Sequence, residues 1–204
     1  MLLLQITSSL FSPIAAVDRK LFFLVNNGMA SSFFDGLMPL AREANTWIPL
    51  YLFMLVFVTI NFGKRGWLWM LFAICTVALC DLVSSHLIKE HIFRLRPCQD
   101  PALAHQIRIL ANYCPRSSSF TSSHATNHFG MAMFVVTTLR TYTSRWIYLF
   151  FAWAALVCLA QVYVGVHYPF DVISGGLLGC LLGYIIAIFF NNYAGLLSLQ
   201  QKTT

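Results

Sequence analysis

Four long stretches of the chain contain no Asp, Glu, Lys or Arg: residues 44–63, 117–139, 146–170 and 172–201. A fifth stretch, 66–88, contains only Asp81. The apolar residues in these stretches would run all round a helix rather than along one stripe, as suits helices surrounded by lipid or by other apolar helices. A helix needs about 20 such residues to cross the bilayer core. The pattern predicts membrane helices over residues 46–62, 66–88, 122–140, 145–166 and 170–190.

The first 45 residues read differently. Residues 1–17 are uncharged, but Ser8, Ser9, Ser12 and Pro13 interrupt the run. No Lys or Arg precedes the Leu2 to Leu4 cluster, a poor fit to a cleaved signal peptide. Residues 18–42, with Asp18-Arg19-Lys20, Asn26-Asn27-Gly28, Ser31-Ser32 and Asp35, read as short amphipathic helices at the membrane interface. The expected fold is all-α, a polytopic membrane helix bundle of five to six transmembrane helices. Residues 1–204 form one membrane-embedded domain in this reading. Its parts are an interfacial or first-span region at 1–45, a five-helix core at 46–190, and a long polar loop at 89–121.

Composition narrows the class. The 204 residues are 58% hydrophobic and 10% charged, against about 45–50% and about 25% in soluble proteins. So few charges cannot cover a soluble globule, and so apolar a chain is not disordered. The net charge of +6 is not gathered into a polybasic patch, so no nucleic-acid partner is expected. The short basic loops Gly63-Lys64-Arg65 and 140–145 share one side of the membrane. The long loop on the other side carries Lys89, Arg94, Arg96, Arg108 and Arg116, more positive charge than either, so the positive-inside rule does not fix orientation. Of the six cysteines, Cys75, Cys80, Cys158 and Cys180 fall in spans and read as packing residues. Cys98 and Cys114 share the long loop and can close it as a disulfide if it faces an oxidising compartment. Their spacing does not resemble a zinc site.

Three polar clusters lie at span ends on the long-loop side, and ionisable groups at such positions are expensive. The first is Lys89-Glu90-His91-Ile92-Phe93-Arg94-Leu95-Arg96-Pro97, where Asp81, Ser85 and Lys89 share one helical face. The second is Ser117 to His124, hydroxyls followed by a helix N-terminus, a natural anion site. The third is Gln161 to Asp171, in which His167 and Asp171 stand four apart around Pro169. Each has a plain structural reading as well: an interfacial basic stop, an N-cap, and a His–Asp pair. Together they supply cations, free N–H groups and two imidazoles, the parts required for phosphoryl transfer.

These residues resemble the signature of the type-2 phosphatidic acid phosphatase superfamily, K-x6-R-P, P-S-G-H and S-R-x5-H-x3-D. Lys89 to Arg96-Pro97 matches the first part, Thr121-Ser122-Ser123-His124 resembles the second, and Ala160-Gln161, His167 and Asp171 resemble the third. The resemblance covers residues 46–190. It implies a membrane lipid phosphatase needing no metal or other cofactor, with its active site near the outer leaflet of a bacterial inner membrane. His167 is then the nucleophile forming a phosphohistidine, Asp171 its orienting partner, and His124 the general acid. Lys89, Arg96, Ser122, Ser123 and Gln161 hold the phosphoryl oxygens.

Three positions depart from the signature. Thr121 and Ser123 replace Pro and Gly, and Ser123 can still offer its N–H if its φ is negative. Gln161 replaces Arg, removing a phosphate cation that Arg94, Arg108 or Arg116 is then expected to supply. His128, one turn after His124, is a second polar residue for the pocket or a packing residue. Asp81 is placed to neutralise a clamp cation or to tune a histidine. The expected partners are a lipid phosphate substrate and membrane lipids. Undecaprenyl diphosphate is the first expectation; phosphatidylglycerol phosphate, phosphatidate and lipid A phosphate are alternatives. The competing classes are a metal-dependent hydrolase using His124, His128, His167 and Asp171, and a lipid-phosphate binding or transport protein. Oligomeric state is not written in the sequence.

Overall fold

The computed structural model describes residues 2–196, with side chains from residue 13 onward. Among the described residues every regular element is helical, the principal ones being α1 (Leu2–Asn26), α2 (Ser32–Arg42), α3 (Ile48–Phe62), α4 (Lys64–Asp81), α5 (Ser123–Leu139), α6 (Leu149–Tyr163) and α7 (Pro169–Tyr193). A π-helical segment, Leu82–Ile88, extends α4 into the long loop. Among the described residues, four helical stretches are long and apolar enough to cross a membrane: Ala44–Phe62, Lys64–Ile88, Arg145–Tyr163 and Pro169–Tyr193. They coincide with four of the five expected spans.

The fifth expected span, 122–140, is the 17-residue α5. At about 1.5 Å per residue it rises about 25 Å. Ser123 at its start bonds to Ser84 and Ser85 beyond the end of α4, whereas Thr138 near its finish accepts from Trp69 Nε1 near the start of α4. It therefore runs antiparallel to α4 as the central helix. Its side chains are the most enclosed of any helix, with Ala125, Ala132, Phe134 and Leu139 fully buried. Glycines let α7 lie directly against it. A Cβ on Gly179 would come within 2.2 Å of Thr126 O, and one on Gly183 within 2.2 Å of Gly130 O. Small residues permitting close approach are what bind helices where lipid is as apolar as the side chains.

In the N-terminal region, residues 18–26 belong to the 25-residue α1 rather than to a short separate helix. α1 contains Pro13 within its length. Residues 18–42 are tied down on the long-loop side. Asn26 Nδ2 donates to Arg108 O and Tyr163 O, Phe22 packs edge-on against Tyr168, and Asp35 pairs with Arg108. α2, capped by Ser31, lays Met38 and Ala41 against Ala160, Tyr163 and Val164 of the α6 end. The long loop is closed by a Cys98–Cys114 disulfide with a Cα–Cα distance of 6.1 Å.

Candidate active site

The ends of α4, α6 and the starts of α5 and α7 meet beneath the long loop. Pro169 opens α7, and Asp171 Oδ2 caps it by accepting from Tyr168 N at 2.9 Å. That cap fixes the carboxylate beside His167. His167 Nδ1 lies 3.6 Å from Asp171 Oδ2 and 3.4 Å from Ser119 Oγ. Ser119 donates to the same carboxylate oxygen at 2.5 Å, so its hydroxyl bridges imidazole and carboxylate. On the opposite side of the ring, Arg96 Nη1 stands 2.9 Å from His167 Nε2. A guanidinium has only donors, so Nε2 is the accepting, unprotonated nitrogen and Nδ1 carries the proton. Burial pushes the His167 pKa down to about 4, with Asp171 opposing and Arg96 adding to the shift. The ring is neutral at pH 7.

Arg96 is held on every side. Nε donates to Ser117 O, Nη2 to Ser117 Oγ and Ser118 O, and Nη1 to Val166 O as well as His167. Arg96 is extended, as is favoured for a residue before proline, and this ends the helical path ahead of Pro97. Lys89 Nζ donates to Ser123 Oγ at 2.6 Å, and Ser84 and Ser85 share that hydroxyl at 3.0 Å. Burial, with Arg96 nearby, lowers Lys89 to about 8. Ser123 has negative φ, since no residue other than glycine has positive φ among the described residues, so the condition for its N–H to serve is met. Ser122 Oγ accepts from Ala125 N as the α5 cap, and Ser122 N donates to Asp171 O.

His124 faces a cavity of about 640 Å³ between α3, α4, α5 and α6, lined at its polar end by Arg42, Asp81, Ser123 and His128 and at its apolar end by Met54 and Trp69. His128 Nδ1 contacts His124 O at 2.8 Å and its ring packs on Trp153 at 4.8 Å between centroids. Asp81 accepts from Ser85 and, at 3.5 Å, from Asn127. Its charge acts on Lys89 without a direct ion pair. Gln161 is buried, and its carbonyl accepts from Val166 N and His167 N, bracing the His167 turn. Its side-chain Nε2 has no hydrogen-bond partner.

Two of the three substitutes expected for the missing cation are engaged by carboxylates. Arg94 bridges two carboxylates, Nη1 to Asp171 Oδ1 and Nη2 to Asp18 Oδ2, both at 2.5 Å. Arg108 is engaged by Asp35 and Tyr163. Arg116 is exposed. Sequence reasoning missed Asp18, which also accepts from Phe170 N, and Ser119. Asp18 carried no signal because its partners lie 76 and 152 residues away. Ser119 was one hydroxyl in a run of three. Among the described residues, no three His, Cys, Asp or Glu side chains are grouped to hold a metal ion.

Comparison with known proteins bears on this geometry. The PAP2 superfamily model matches residues 66–194. A lipid A 4'-phosphatase of Bacteroides thetaiotaomicron is 30% identical over 172 residues, 83% of this chain and 75% of that protein. A lipid A 4'-phosphatase of Porphyromonas gingivalis is 29% identical over 176 residues, 85% and 72% of the two chains. The transmembrane PAP2 type phosphatidylglycerolphosphate phosphatase of Bacillus subtilis has a similar fold, with a TM-score of 0.65, 21% identity, and 94% and 95% coverage. Aquifex aeolicus LpxE superposes with a TM-score of 0.58 at 25% identity over 83% and 93% of the two chains.

Proposed function

The chain belongs to the PAP2 superfamily and is an integral-membrane lipid phosphatase, a metal-independent hydrolase of lipid phosphate esters, and from that premise we propose that it removes a phosphate from a lipid A-type glycolipid through a phosphohistidine on His167. The observation that carries the mechanism is the Arg96 contact to His167 Nε2, which makes that nitrogen the unprotonated one, its lone pair held in the resting state by a cation. Arg96 exchanges the ring nitrogen for a phosphoryl oxygen as substrate enters. Nε2 attacks phosphorus, and the P–O bond to the lipid breaks as His124 protonates the departing oxygen. Water, deprotonated by His124, then attacks the phosphohistidine and frees inorganic phosphate. Asp171, with Ser119, holds the Nδ1 proton and stabilises the imidazolium that forms. Lys89, Arg96, Ser122, Gln161 and the N–H of Ser123 take the equatorial oxygens.

Lipid A phosphate comes first because both curated relatives carry that activity in their names. Undecaprenyl diphosphate is the alternative, since none of these phosphate-gripping residues reads the lipid tail. The apolar end of the cavity, open to lipid-facing helices, suits an acyl chain beside the phosphate. The Cys98–Cys114 disulfide supports a periplasmic placement of the long loop in a bacterial inner membrane. Purified protein in detergent with EDTA, given lipid A, undecaprenyl diphosphate, phosphatidylglycerol phosphate and phosphatidate, tests the reading. Fastest phosphate release is expected from lipid A. Preference for another lipid overturns the substrate, and release only after added metal overturns the chemistry.

A further inference from the structure

Arg42 ends α2 with only 6% of its surface exposed, and its Nε has no hydrogen-bond partner. A cation in the last turn of a helix ordinarily serves the free carbonyls there, yet none accepts from Arg42. Among the described residues no carboxylate pairs with it. A buried guanidinium without a counter-charge is unfavourable, so the protein leaves a place for one. The surroundings identify it. Arg42 lines the cavity beside Ser123 and His124, and its charge reaches both Arg96 and His124. Lys89 reaches the same two groups. The nearby carboxylates face other partners, Asp81 bonding Ser85 and Asp171 pairing with Arg94. Three cations converging in this way repel one another unless an anion sits among them.

A second buried donor without a partner lies on α6, the helix against which α2 packs. Ala41 and Ala160 belong to one packed cluster joining α2 to α6, and the residues that follow them are Arg42 and Gln161. Both bury a side-chain N–H with no acceptor. We propose that Arg42 supplies, from α2, the phosphoryl-binding cation that position 161 lacks, its guanidinium and the Gln161 amide gripping non-bridging oxygens of the substrate phosphate. The proposal rests on the lipid phosphatase reading, and places a substrate contact in a helix that precedes the matched family region altogether.

Phosphate release from the best lipid substrate, inhibition by orthovanadate and thermal melting are measured for wild type, Arg42→Gln, Arg42→Lys and the double variant Arg42→Gln with Gln161→Arg. Arg42→Gln is expected to lose tenfold or more in kcat/KM, mostly through KM, and to bind vanadate tenfold or more weakly without a matching loss of melting temperature. Gln161→Arg is expected to restore most of that loss. Should Arg42→Gln not fold, Arg42→Lys serves: it keeps the charge but not the fork, and vanadate inhibition is expected to weaken about threefold. An active wild type with Arg42→Gln, or failing that Arg42→Lys, unchanged within twofold overturns the proposal alone. A wild type that releases no phosphate from any lipid overturns the phosphatase reading instead.

Discussion

Arg96 and His167 meet at 2.9 Å through Nη1 and Nε2, and every other N–H group of that guanidinium already has a protein acceptor. The contact makes Arg96 at once the holder of the resting nucleophile and the group substrate must win over. Arg96→Ala should lower phosphate release by two orders of magnitude or more and take a donor from the carbonyls of buried Ser118 and Val166, at about 2–4 kcal/mol of stability. Arg96→Lys should recover stability only in part, because one ammonium cannot serve five directions. Steady-state kinetics and denaturant melts on the three proteins check both statements.

Arg94 between Asp18 and Asp171 is a buried ion network. Removing the central cation strands two carboxylates, so Arg94→Ala should destabilise by about 3–5 kcal/mol. Asp18→Asn leaves Arg94 with Asp171 and should cost less than half as much. Equal losses in the two variants would show that the network does not act through Arg94.

The alkaline limb of the pH profile should belong to Lys89. Its pKa is lowered to about 8 by burial and by Arg96, so the ammonium is present below pH 8 and lost above it. kcat/KM should therefore fall as pH rises through about 8, and Lys89→Arg should remove that fall by keeping its charge. The His167 pKa of about 4 means the neutral nucleophile is available throughout the range above it. Profiles of wild type and Lys89→Arg in one buffer series decide the point.

Gly165 sets the turn that delivers His167. Its φ is +89°, and a Cβ there would meet Arg108 O at 2.7 Å. Gly165→Ala should cost about 1–3 kcal/mol from the strained backbone and reduce kcat more than it alters KM, because the imidazole moves relative to Arg96. Melting and kinetics measured together separate this from simple loss of folded protein.

Much of the site was legible because its chemistry follows local order. Lys89, Arg96, His124, His167 and Asp171 sit at fixed spacings beside Pro97 and Pro169, whose backbone restrictions place them at span ends. The four long spans and α5 were visible as missing charge. Asp18 and Arg42 were not legible, since nothing local distinguishes them from other interfacial charges. Only folding of α1 and α2 over the long-loop side gives one a buried ion pair and leaves the other without one. Arg94 was readable as a spare cation from sequence, and the structure spends it on Asp18 and Asp171.

The central claim is that His167 carries the phosphoryl group. Its most direct test is phosphate release by purified His167→Ala against wild type, in EDTA, with melting curves showing both proteins folded. The account predicts release from wild type and a variant rate lower by at least about three orders of magnitude, as for loss of a covalent nucleophile. Release by folded His167→Ala at the wild-type rate would contradict it.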